Sequence, residues 1–153
     1  MTGIVIARGG PADLPAIMPV MAGAFASRFG EAWTESQCFG VLSMPGSHLA
    51  IAQDESPVGF ALSRIILDEC ELLLIAVAPS AQHCGIGRQL LAAMIATARQ
   101  ANVKSVFLEV RSGNPAITLY SSSGFIEVGR RRGYYRGPNG EIFDALTYRL
   151  LLS

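Results

Sequence analysis

Charged residues are scarce in this chain, and neither sign dominates. Only 16% of the 153 residues are Asp, Glu, Lys or Arg, and 12 basic residues balance 12 acidic ones. Proteins that bind nucleic acid through bulk charge are usually basic. The composition therefore argues against that class, and we expect no direct nucleic-acid binding.

Residues that form disulfides or ligate metals are few as well. The three cysteines, Cys38, Cys70 and Cys84, are odd in number and scattered, which argues against a disulfide framework and a zinc pattern. The two histidines, His48 and His83, have no ligand spacing with each other or with a cysteine. We expect a protein of the reducing cytoplasm that holds no metal ion.

Long apolar runs are also missing. No run approaches the ~20 apolar residues of a membrane-spanning helix, and the N-terminus lacks the basic start and apolar core of a signal peptide. Half of the residues are nevertheless hydrophobic, and a chain of this length buries roughly 70% of its unfolded surface. The sequence predicts a single domain over residues 1–153, with no membrane contact.

Apolar periodicity divides the chain into strands and helices. Strands are predicted at 4–8, 48–53, 57–67, 72–77, 105–110, 125–129 and 142–151. Helices are predicted from residue 14 to near Arg28, after a cap at Thr34 or Ser36, after the glycines near 85, and from Asn114 to Gly124. The order β-α-α-β-β-β-α-β-α-β-β is typical of a mixed α/β domain. The polar segment 130–140 is expected to join the last two strands.

The segment Gln82-His83-Cys84-Gly85-Ile86-Gly87-Arg88 lies between an apolar strand and an amphipathic helix. The free N–H groups and the dipole of such a helix favour an anion, and glycines let a phosphate approach the backbone. No Gly-Lys-Ser/Thr follows, as a Walker A loop needs, and Leu90 stands where a dinucleotide fingerprint needs a small residue. The remaining pattern, Gln-x-x-Gly-x-Gly, resembles the pyrophosphate loop of the GCN5-related N-acetyltransferases (GNAT), which bind acetyl-coenzyme A (acetyl-CoA) there.

Further blocks extend this resemblance from about residue 4 to residue 150. In chain order they are 32–35 (Ala-Trp-Thr-Glu), 67–69 (Leu-Asp-Glu), 73–79 (Leu-Leu-Ile-Ala-Val-Ala-Pro), 107–111 (Phe-Leu-Glu-Val-Arg), 119–120 (Leu-Tyr), 124–125 (Gly-Phe), 129–131 (Gly-Arg-Arg), 134–135 (Tyr-Tyr) and 144–145 (Asp-Ala). With these blocks the chain looks most like the bacterial ribosomal-protein N-terminal alanine acetyltransferases. The resemblance implies the GNAT fold, a single central mixed sheet flanked by helices. One departure is that Asn114 precedes Tyr120 by six positions, one fewer than in the family.

The resemblance assigns the catalytic roles to Glu109, as base, and Tyr120, as acid. An α-amino group, with a pKa of about 7.7–8.0, is about one tenth neutral at pH 7, so a carboxylate acting directly or through a water is base enough. A phenol with a pKa of about 10 can protonate a thiolate of similar basicity. Without the resemblance, Glu109 would be interpreted as an outward strand residue paired with Lys or Arg, and Tyr120 as a helix aromatic packed on the core.

The resemblance also implies that acetyl-CoA lies between the strand ending at 76–78 and the strand that bears Glu109. Backbone groups of Ile75 and Val77 would pair with the pantetheine amides, and residues 83–88 would hold the pyrophosphate. The implied acetyl-CoA-binding residues are Ile75, Ala76, Val77, His83, Cys84, Gly85, Ile86, Gly87, Arg88 and Asn114.

Aromatic residues are the candidates for acceptor binding. Tyr134-Tyr135, expected in a hairpin loop, resembles the tyrosine pair that N-terminal acetyltransferases place over the first residues of the acceptor. Trp33 and Phe29 could form the facing wall. The acidic residues near 68–71 and the basic run at 130–136 are expected to be solvated surface.

We therefore expect transfer of acetyl from acetyl-CoA to the α-amine of a protein, with the N-terminal alanine of a small-subunit ribosomal protein as the leading acceptor. Two alternatives stay open. A small amine or an internal lysine could be the acceptor, because a fold does not fix the substrate. The chain could also be a non-catalytic acyl-CoA sensor. Tyr134-Tyr135 with Trp33 favours a peptide terminus, and the presence of both Glu109 and Tyr120 favours an enzyme.

Overall fold

The computed structural model describes residues 3–26, 29 and 31–152. Within them the strands and helices follow one another in the predicted order, which confirms the mixed α/β class. Their bounds are β1 Val5–Gly9, α1 Leu14–Ala24, α2 Glu35–Leu42, β2 Ser47–Gln53, β3 Pro57–Ile66, β4 Glu69–Val77, α3 Ile86–Gln100, β5 Ser105–Arg111, α4 Ala116–Ser122, β6 Ile126–Arg136 and β7 Ile142–Leu151.

These strands form one central mixed sheet, as expected, in the order β1-β2-β3-β4-β5-β7-β6. Neighbouring strands are antiparallel except β4 and β5, which are parallel. The β4–β5 pairing runs from Glu69↔Ser105 to Leu72↔Leu108. Beyond it β4 continues to Val77 and β5 to Arg111, so the two strands part at the centre of the sheet.

A β-bulge in β4 lies where the two strands part. Leu62 pairs with Leu74 but Ser63 pairs with Leu72, so Leu73 is an extra residue on β4. An extra residue bends a strand and shifts the alternation of its side chains between the two faces. Leu72 accordingly belongs to one hydrophobic core and Leu74 to the other. The bend at Leu73 accounts for the parting of β4 from β5.

Hydrophobic cores cover both faces of the sheet. Helices α1 and α2 pack on one face, around the fully buried Phe60, and α3 and α4 pack on the other. Helix α3 buries a stripe at helical spacing, which consists of Ile86, Leu90, Leu91, Met94 and Ala98. Thr34 caps α2, one of the two predicted positions. Its Oγ1 accepts from the Gln37 N–H at 3.1 Å, and its own N–H donates to Gln37 Oε1 at 2.8 Å, the reciprocal capping box.

The end of α1 differs from the prediction. The helix was expected to carry Phe25 and end near Arg28, but it ends at Ala24 and Phe25 is extended. Phe25 still packs against the core on this face, so it is sheltered without a further helical turn. Arg28 lies outside the described residues.

The length of β6 also differs. A strand ending at residue 129 and a connection over 130–140 were predicted, whereas β6 continues to Arg136. Because β6 is an edge strand whose side chains are mostly exposed, it lacks the apolar alternation by which strands are recognised. Tyr134 and Tyr135 therefore lie on a strand and not in a hairpin loop.

Candidate active site

A cleft of about 1020 Å³ opens where β4 and β5 part. Its walls come from the connection between α1 and α2, the end of β4, the glycine loop before α3, the end of β5, the start of α4 and the end of β6. The predicted site residues that line it are Trp33, Ile75, Ala76, Val77, His83, Gly85, Ile86, Gly87, Glu109, Asn114, Tyr120, Tyr134 and Tyr135. Residues distant in sequence thus meet in one cavity, of the size that ligand sites have.

One wall of the cleft is an unpaired edge of β4. Residues Leu74–Val77 pair with β3 on one side, while the β4–β5 ladder on the other side has already ended at Leu72. An unpaired strand edge offers N–H and C=O groups to any extended chain with amide groups. The backbone of Ile75 and Val77 is thus placed where the resemblance requires it for pantetheine.

The glycine loop forms the next wall. Gly85 has φ +79° and precedes the first residue of α3, a left-handed conformation that costs glycine little. The Gln82 side chain donates through Nε2 to the carbonyl oxygen of Val77 at 3.2 Å, which ties the loop to the end of β4. The N-terminus of α3 thereby faces the cleft with its free N–H groups.

Two predicted acetyl-CoA residues are not among those that line the cleft. Cys84 is exposed, and Arg88 donates through Nη2 to Ser122 Oγ on α4 at 3.1 Å. The structure therefore gives the side chain of Arg88 an intramolecular partner, and the Cys84 thiol likewise donates to the carbonyl oxygen of Gln82 at 3.5 Å.

Glu109 lies on β5 directly after Leu108, the last residue paired with β4. Its ion partner is the Arg131 guanidinium, whose Nε lies 3.0 Å from Glu109 Oε2. The Arg131 side chain is 60% exposed and that of Glu109 is 21% exposed. This ion pair agrees with the interpretation made without the resemblance, although Glu109 also lines the cleft. Oε2 is buried and accepts no hydrogen bond within the described part of the chain. Oε2 faces the Arg131 guanidinium, while the Glu109 side chain as a whole lines the cleft.

Tyr120 is held by the core of the sheet face that carries α4. The residue is 5% exposed and its ring meets that of Phe125 edge-on at 6.0 Å, as expected of an aromatic packed on the core. Burial first, and then the nearby Glu31 carboxylate and Tyr135, raise the pKa of Tyr120 well above that of an ordinary phenol. The hydroxyl is therefore a proton donor that stays protonated.

A buried polar cluster, which sequence reasoning did not find, joins three walls of the cleft. Glu31 Oε1 accepts from Arg111 Nε at 3.1 Å, and Glu31 Oε2 accepts from Asn114 Nδ2 at 3.0 Å. Asn114 Oδ1 in turn accepts from the Ala116 N–H at 2.8 Å and begins α4, as its predicted capping role requires. The alternation of β5 places Arg111 on the side of Glu109, but nothing local indicated Glu31.

Aromatic residues line the opposite wall. The rings of Tyr134 and Tyr135 lie edge-on at 5.2 Å, and the Arg131 guanidinium lies 4.9 Å from the Tyr134 ring centroid. Burial, followed by Glu31 and Glu109, raises the pKa of Tyr135 to about 12. Trp33 and Phe29, on the connection between α1 and α2, also line the cleft.

Some of the charged residues predicted to be solvated form ion pairs within the protein or line the cleft. Arg130 pairs with Asp144 at 2.9 Å, and Lys104 lies 4.0 Å from Asp68 on the surface. Glu71 lines the cleft. Desolvation and the Glu109 carboxylate raise the pKa of Glu71, and Arg131 opposes that shift.

Metal and membrane features were searched over the residues that the structure describes. Their His, Cys, Asp and Glu side chains form no group of three or more that could hold a metal ion. No helix in that part of the chain is both long and apolar enough to cross a membrane.

Comparison with known proteins identifies the family. The sequence pattern of the acetyltransferase (GNAT) family matches residues 14–125. A [ribosomal protein bS18]-alanine N-acetyltransferase of Salmonella typhimurium is 38% identical over 122 residues, which cover 79% of this chain and 82% of that protein. The enzyme of the same name from Haemophilus influenzae is 39% identical over 93 residues, and the match spans 61% of this chain and 64% of that relative's length.

A solved structure agrees with these matches. The ribosomal-protein-S18-alanine N-acetyltransferase of Escherichia coli superposes with a TM-score of 0.88 at 34% identity, covering 98% of this chain and 94% of that one. The resemblance inferred from the glycine loop and the blocks around it is confirmed. The chain belongs to the GNAT family of acetyltransferases.

Proposed function

We propose that this protein transfers the acetyl group of acetyl-CoA to the α-amine of a protein N-terminus, and that an N-terminal alanine of a ribosomal protein is its acceptor. The observation that carries the proposal is the single cleft in which a free strand edge and a glycine loop adjoin Glu109, Tyr120 and a tyrosine pair. The names of the relatives in Salmonella typhimurium and Haemophilus influenzae support the acceptor. An acceptor of this kind would place the reaction in the cytoplasm.

The shape of the cleft suits acetyl-CoA, which supplies a thioester-activated acetyl group when bound. The β4 edge at Leu74–Val77 would pair with the amides of the pantetheine arm, and the loop at 83–87 would hold the pyrophosphate against the N-terminus of α3. Gly85, whose missing side chain leaves open space at the loop, lets phosphate oxygens approach the backbone. Asn114 lines the same cavity at the start of α4.

Glu109 is the proposed base. As the amine nitrogen forms its bond to the acetyl carbon, one N–H proton passes to the Glu109 carboxylate, directly or through a water. The Glu109 carboxylate lines the cleft, and 21% of its side chain is exposed, so an amine or a water in the cleft can reach it. Oε2 lies 3.0 Å from the Arg131 guanidinium, and this ion pair orients the carboxylate.

Tyr120 is the proposed acid. When the bond between the acetyl carbon and sulfur breaks, the phenol donates its proton to the leaving thiolate. The phenolate then regains a proton from solvent while Glu109 releases one, so the cycle is balanced. The raised pKa of Tyr120 keeps the phenol protonated until the thiolate forms, and it also makes the phenol a weaker acid than an ordinary tyrosine.

The test is an acceptor panel read by mass spectrometry. Purified protein and acetyl-CoA are incubated with a basic peptide that begins with Ala, with the same peptide whose α-amine is blocked but whose lysine is free, and with polyamines. We expect one acetyl group to be gained, on the free Ala terminus only.

Other outcomes separate the alternatives. Acetylation of the blocked peptide or of polyamines would keep the family and overturn the acceptor. Tight binding of acetyl-CoA without any product would overturn the enzyme in favour of an acyl-CoA sensor.

A further inference from the structure

We propose that Glu31 is a positioning residue. Its hydrogen bonds form a lock that holds the connection between α1 and α2, which lines the acceptor side of the cleft, to β5 and α4, which carry Glu109 and Tyr120. The contacts of Glu31 reach β5 through Arg111 and α4 through Asn114. The proposal rests on the proposed function for the identity of the acceptor, but the lock itself is a property of the protein without substrate.

Both oxygens of the Glu31 carboxylate are committed to donors. Arg111 Nε donates to Oε1 and Asn114 Nδ2 donates to Oε2. The side chains of Arg111 and Glu31 are only 8% and 9% exposed. A charge-assisted pair sheltered to this degree is both stronger and more demanding of geometry than a surface ion pair.

Only a carboxylate satisfies this position. Asn114 Oδ1 accepts from the Ala116 N–H, so the amide is oriented and its Nδ2 must point at Glu31. Arg111 Nε is a donor as well. A glutamine at position 31 has one oxygen and one NH₂ group, so it would set a donor against a donor on one of the two sides.

The lock connects the elements that carry the proposed base, the proposed acid and the acceptor-binding aromatic residues. Arg111 is two residues after Glu109 on β5, and Asn114 caps the helix that carries Tyr120. The Arg111 guanidinium also lies 3.6 Å from the Phe29 ring centroid, and Phe29 meets Phe143 of β7 edge-on at 5.1 Å. Without Glu31, the Arg111 charge would stay buried but lose its counter-charge. The connection that carries Phe29 and Trp33 would lose its ion pair with β5 and keep only the contact of Phe29 with Arg111.

The first experiment is the substitution Glu31→Gln, with Glu35→Gln on the exposed first turn of α2 as the matched control. We expect the KM for the Ala-terminal peptide to rise about tenfold or more, because a small misplacement of a reactant is costly. We expect the Kd for acetyl-CoA to change less than this KM, because the hydrogen bonds of Glu31 go to Arg111 and Asn114 and not to the β4 edge or the glycine loop. An acceptor KM equal to that of the Glu35→Gln control would overturn the proposal. A fall in kcat with unchanged KM would overturn it too, since that is what general loss of folded enzyme produces.

The second experiment uses no acceptor. The sequence contains one tryptophan, Trp33, and it lies on the wall that Glu31 is proposed to lock. Asn114→Asp keeps the oxygen that caps α4 but replaces the donor to Glu31 with a second carboxylate. We expect acrylamide to quench Trp33 fluorescence more strongly in Glu31→Gln and Asn114→Asp than in Glu35→Gln, with circular dichroism confirming that all three are folded.

The two experiments fail in different ways. Equal quenching in all three variants would overturn the lock whatever the acceptor is. Increased quenching in a protein that acetylates no N-terminal peptide would support the lock and overturn the proposed acceptor.

Discussion

At the scale of single residues, the cleft depends on how each polar group is partnered. Glu109 has an ion partner at Oε2 but no hydrogen bond to that oxygen, Glu31 accepts a hydrogen bond at each oxygen, and Tyr120 is enclosed by the core. A carboxylate whose two oxygens already accept from Arg and Asn is suited to hold structure, whereas one that lines the cleft with few hydrogen bonds is suited to take a proton. We therefore propose different roles for the two glutamates in this cavity.

Removal of the proposed catalytic groups should affect turnover and spare binding. We expect Glu109→Gln to lower kcat about 10²-fold or more, because positioned acid–base groups contribute on that scale. Tyr120→Phe, which keeps the ring and its contact with Phe125, should lower kcat about tenfold or more for the same reason. Steady-state rates and calorimetric titration with acetyl-CoA measure both quantities. Rates like those of the unaltered protein in both variants would refute the assignment.

The two phenols in the cleft should make the free energy of unfolding fall at alkaline pH, while the Tyr120 hydroxyl stays protonated in the folded protein. Burial raises the pKa of Tyr120, and burial with Glu31 and Glu109 raises the pKa of Tyr135 to about 12. An unfolded phenol ionises at a pKa of about 10, so the unfolded chain loses these protons first. The part of the stability that these two phenols contribute is fully present below pH 10 and should decline as pH rises toward 12.

Urea unfolding at several pH values between 8 and 12 checks this expectation. The decline in the free energy of unfolding should be shallower in Tyr135→Phe than in the unaltered protein, because the variant lacks one of the two phenols with a raised pKa. Parallel declines would contradict the shifted pKa of Tyr135.

At the scale of secondary-structure elements, the cleft results from two local devices. The bulge at Leu73 bends β4 away from β5, and the left-handed Gly85 lets the chain turn into α3. Each device uses a backbone conformation that regular strands or helices do not allow. The site is thus made by the ends of elements and not by their regular parts.

A glycine in the left-handed conformation and a glycine inside a helix together test whether the loop conformation is required. A Cβ on Gly85 or on Gly40 would meet open space, so steric clash plays no part in either substitution. Gly85→Ala should cost roughly 1–2 kcal/mol of stability, because φ is +79° there, and should weaken acetyl-CoA binding. Gly40→Ala, inside α2, should instead add roughly 0.5–1 kcal/mol.

Denaturant unfolding and calorimetry measure the two effects. A Gly85→Ala variant that gained stability as Gly40→Ala does would show that the loop conformation is not required.

At the scale of the whole molecule, the sheet is enclosed on both faces by hydrophobic cores. One core surrounds Phe60 and holds α1 and α2, and the other holds α3 and α4. The cleft lies between elements of both cores, so its walls keep their positions only while both faces stay packed. The stability of the two cores and the geometry of the site are therefore linked.

Truncation of a central core residue should cost far more than truncation at the surface. Phe60 is fully buried, whereas Leu67, in the turn between β3 and β4, is 90% exposed. We expect Phe60→Ala to lower the free energy of unfolding by roughly 3–5 kcal/mol, and Leu67→Ala to change it by no more than about 0.5 kcal/mol. Urea unfolding monitored by circular dichroism gives both values. A similar loss of unfolding free energy in the two variants would contradict the central place of Phe60 in the core.

Much of the fold could be predicted from the sequence because its signals are local. Apolar alternation marked the buried strands, a helical stripe marked α3, and Thr34 and Asn114 marked helix starts. These signals act between residues a few positions apart, where backbone geometry alone decides the outcome. The glycine loop belongs to this class, since its place between strand and helix indicated an anion site. The roles of Glu109 and Tyr120, by contrast, came from the family resemblance and remain to be tested.

Other features were decided only by the tertiary structure. Glu31 and Arg111 lie 80 positions apart, and each one taken alone is an ordinary surface residue type. The length of β6 depends on its being an edge strand that pairs with β7, and the parting of β4 from β5 depends on a bulge that is defined only against β3. Contacts between distant segments form where whole faces of elements are buried together, and the energy of that burial is not contained in any short stretch of sequence. The sequence therefore determined the elements and the loop, and the packing of the sheet determined which side chains meet in the cleft.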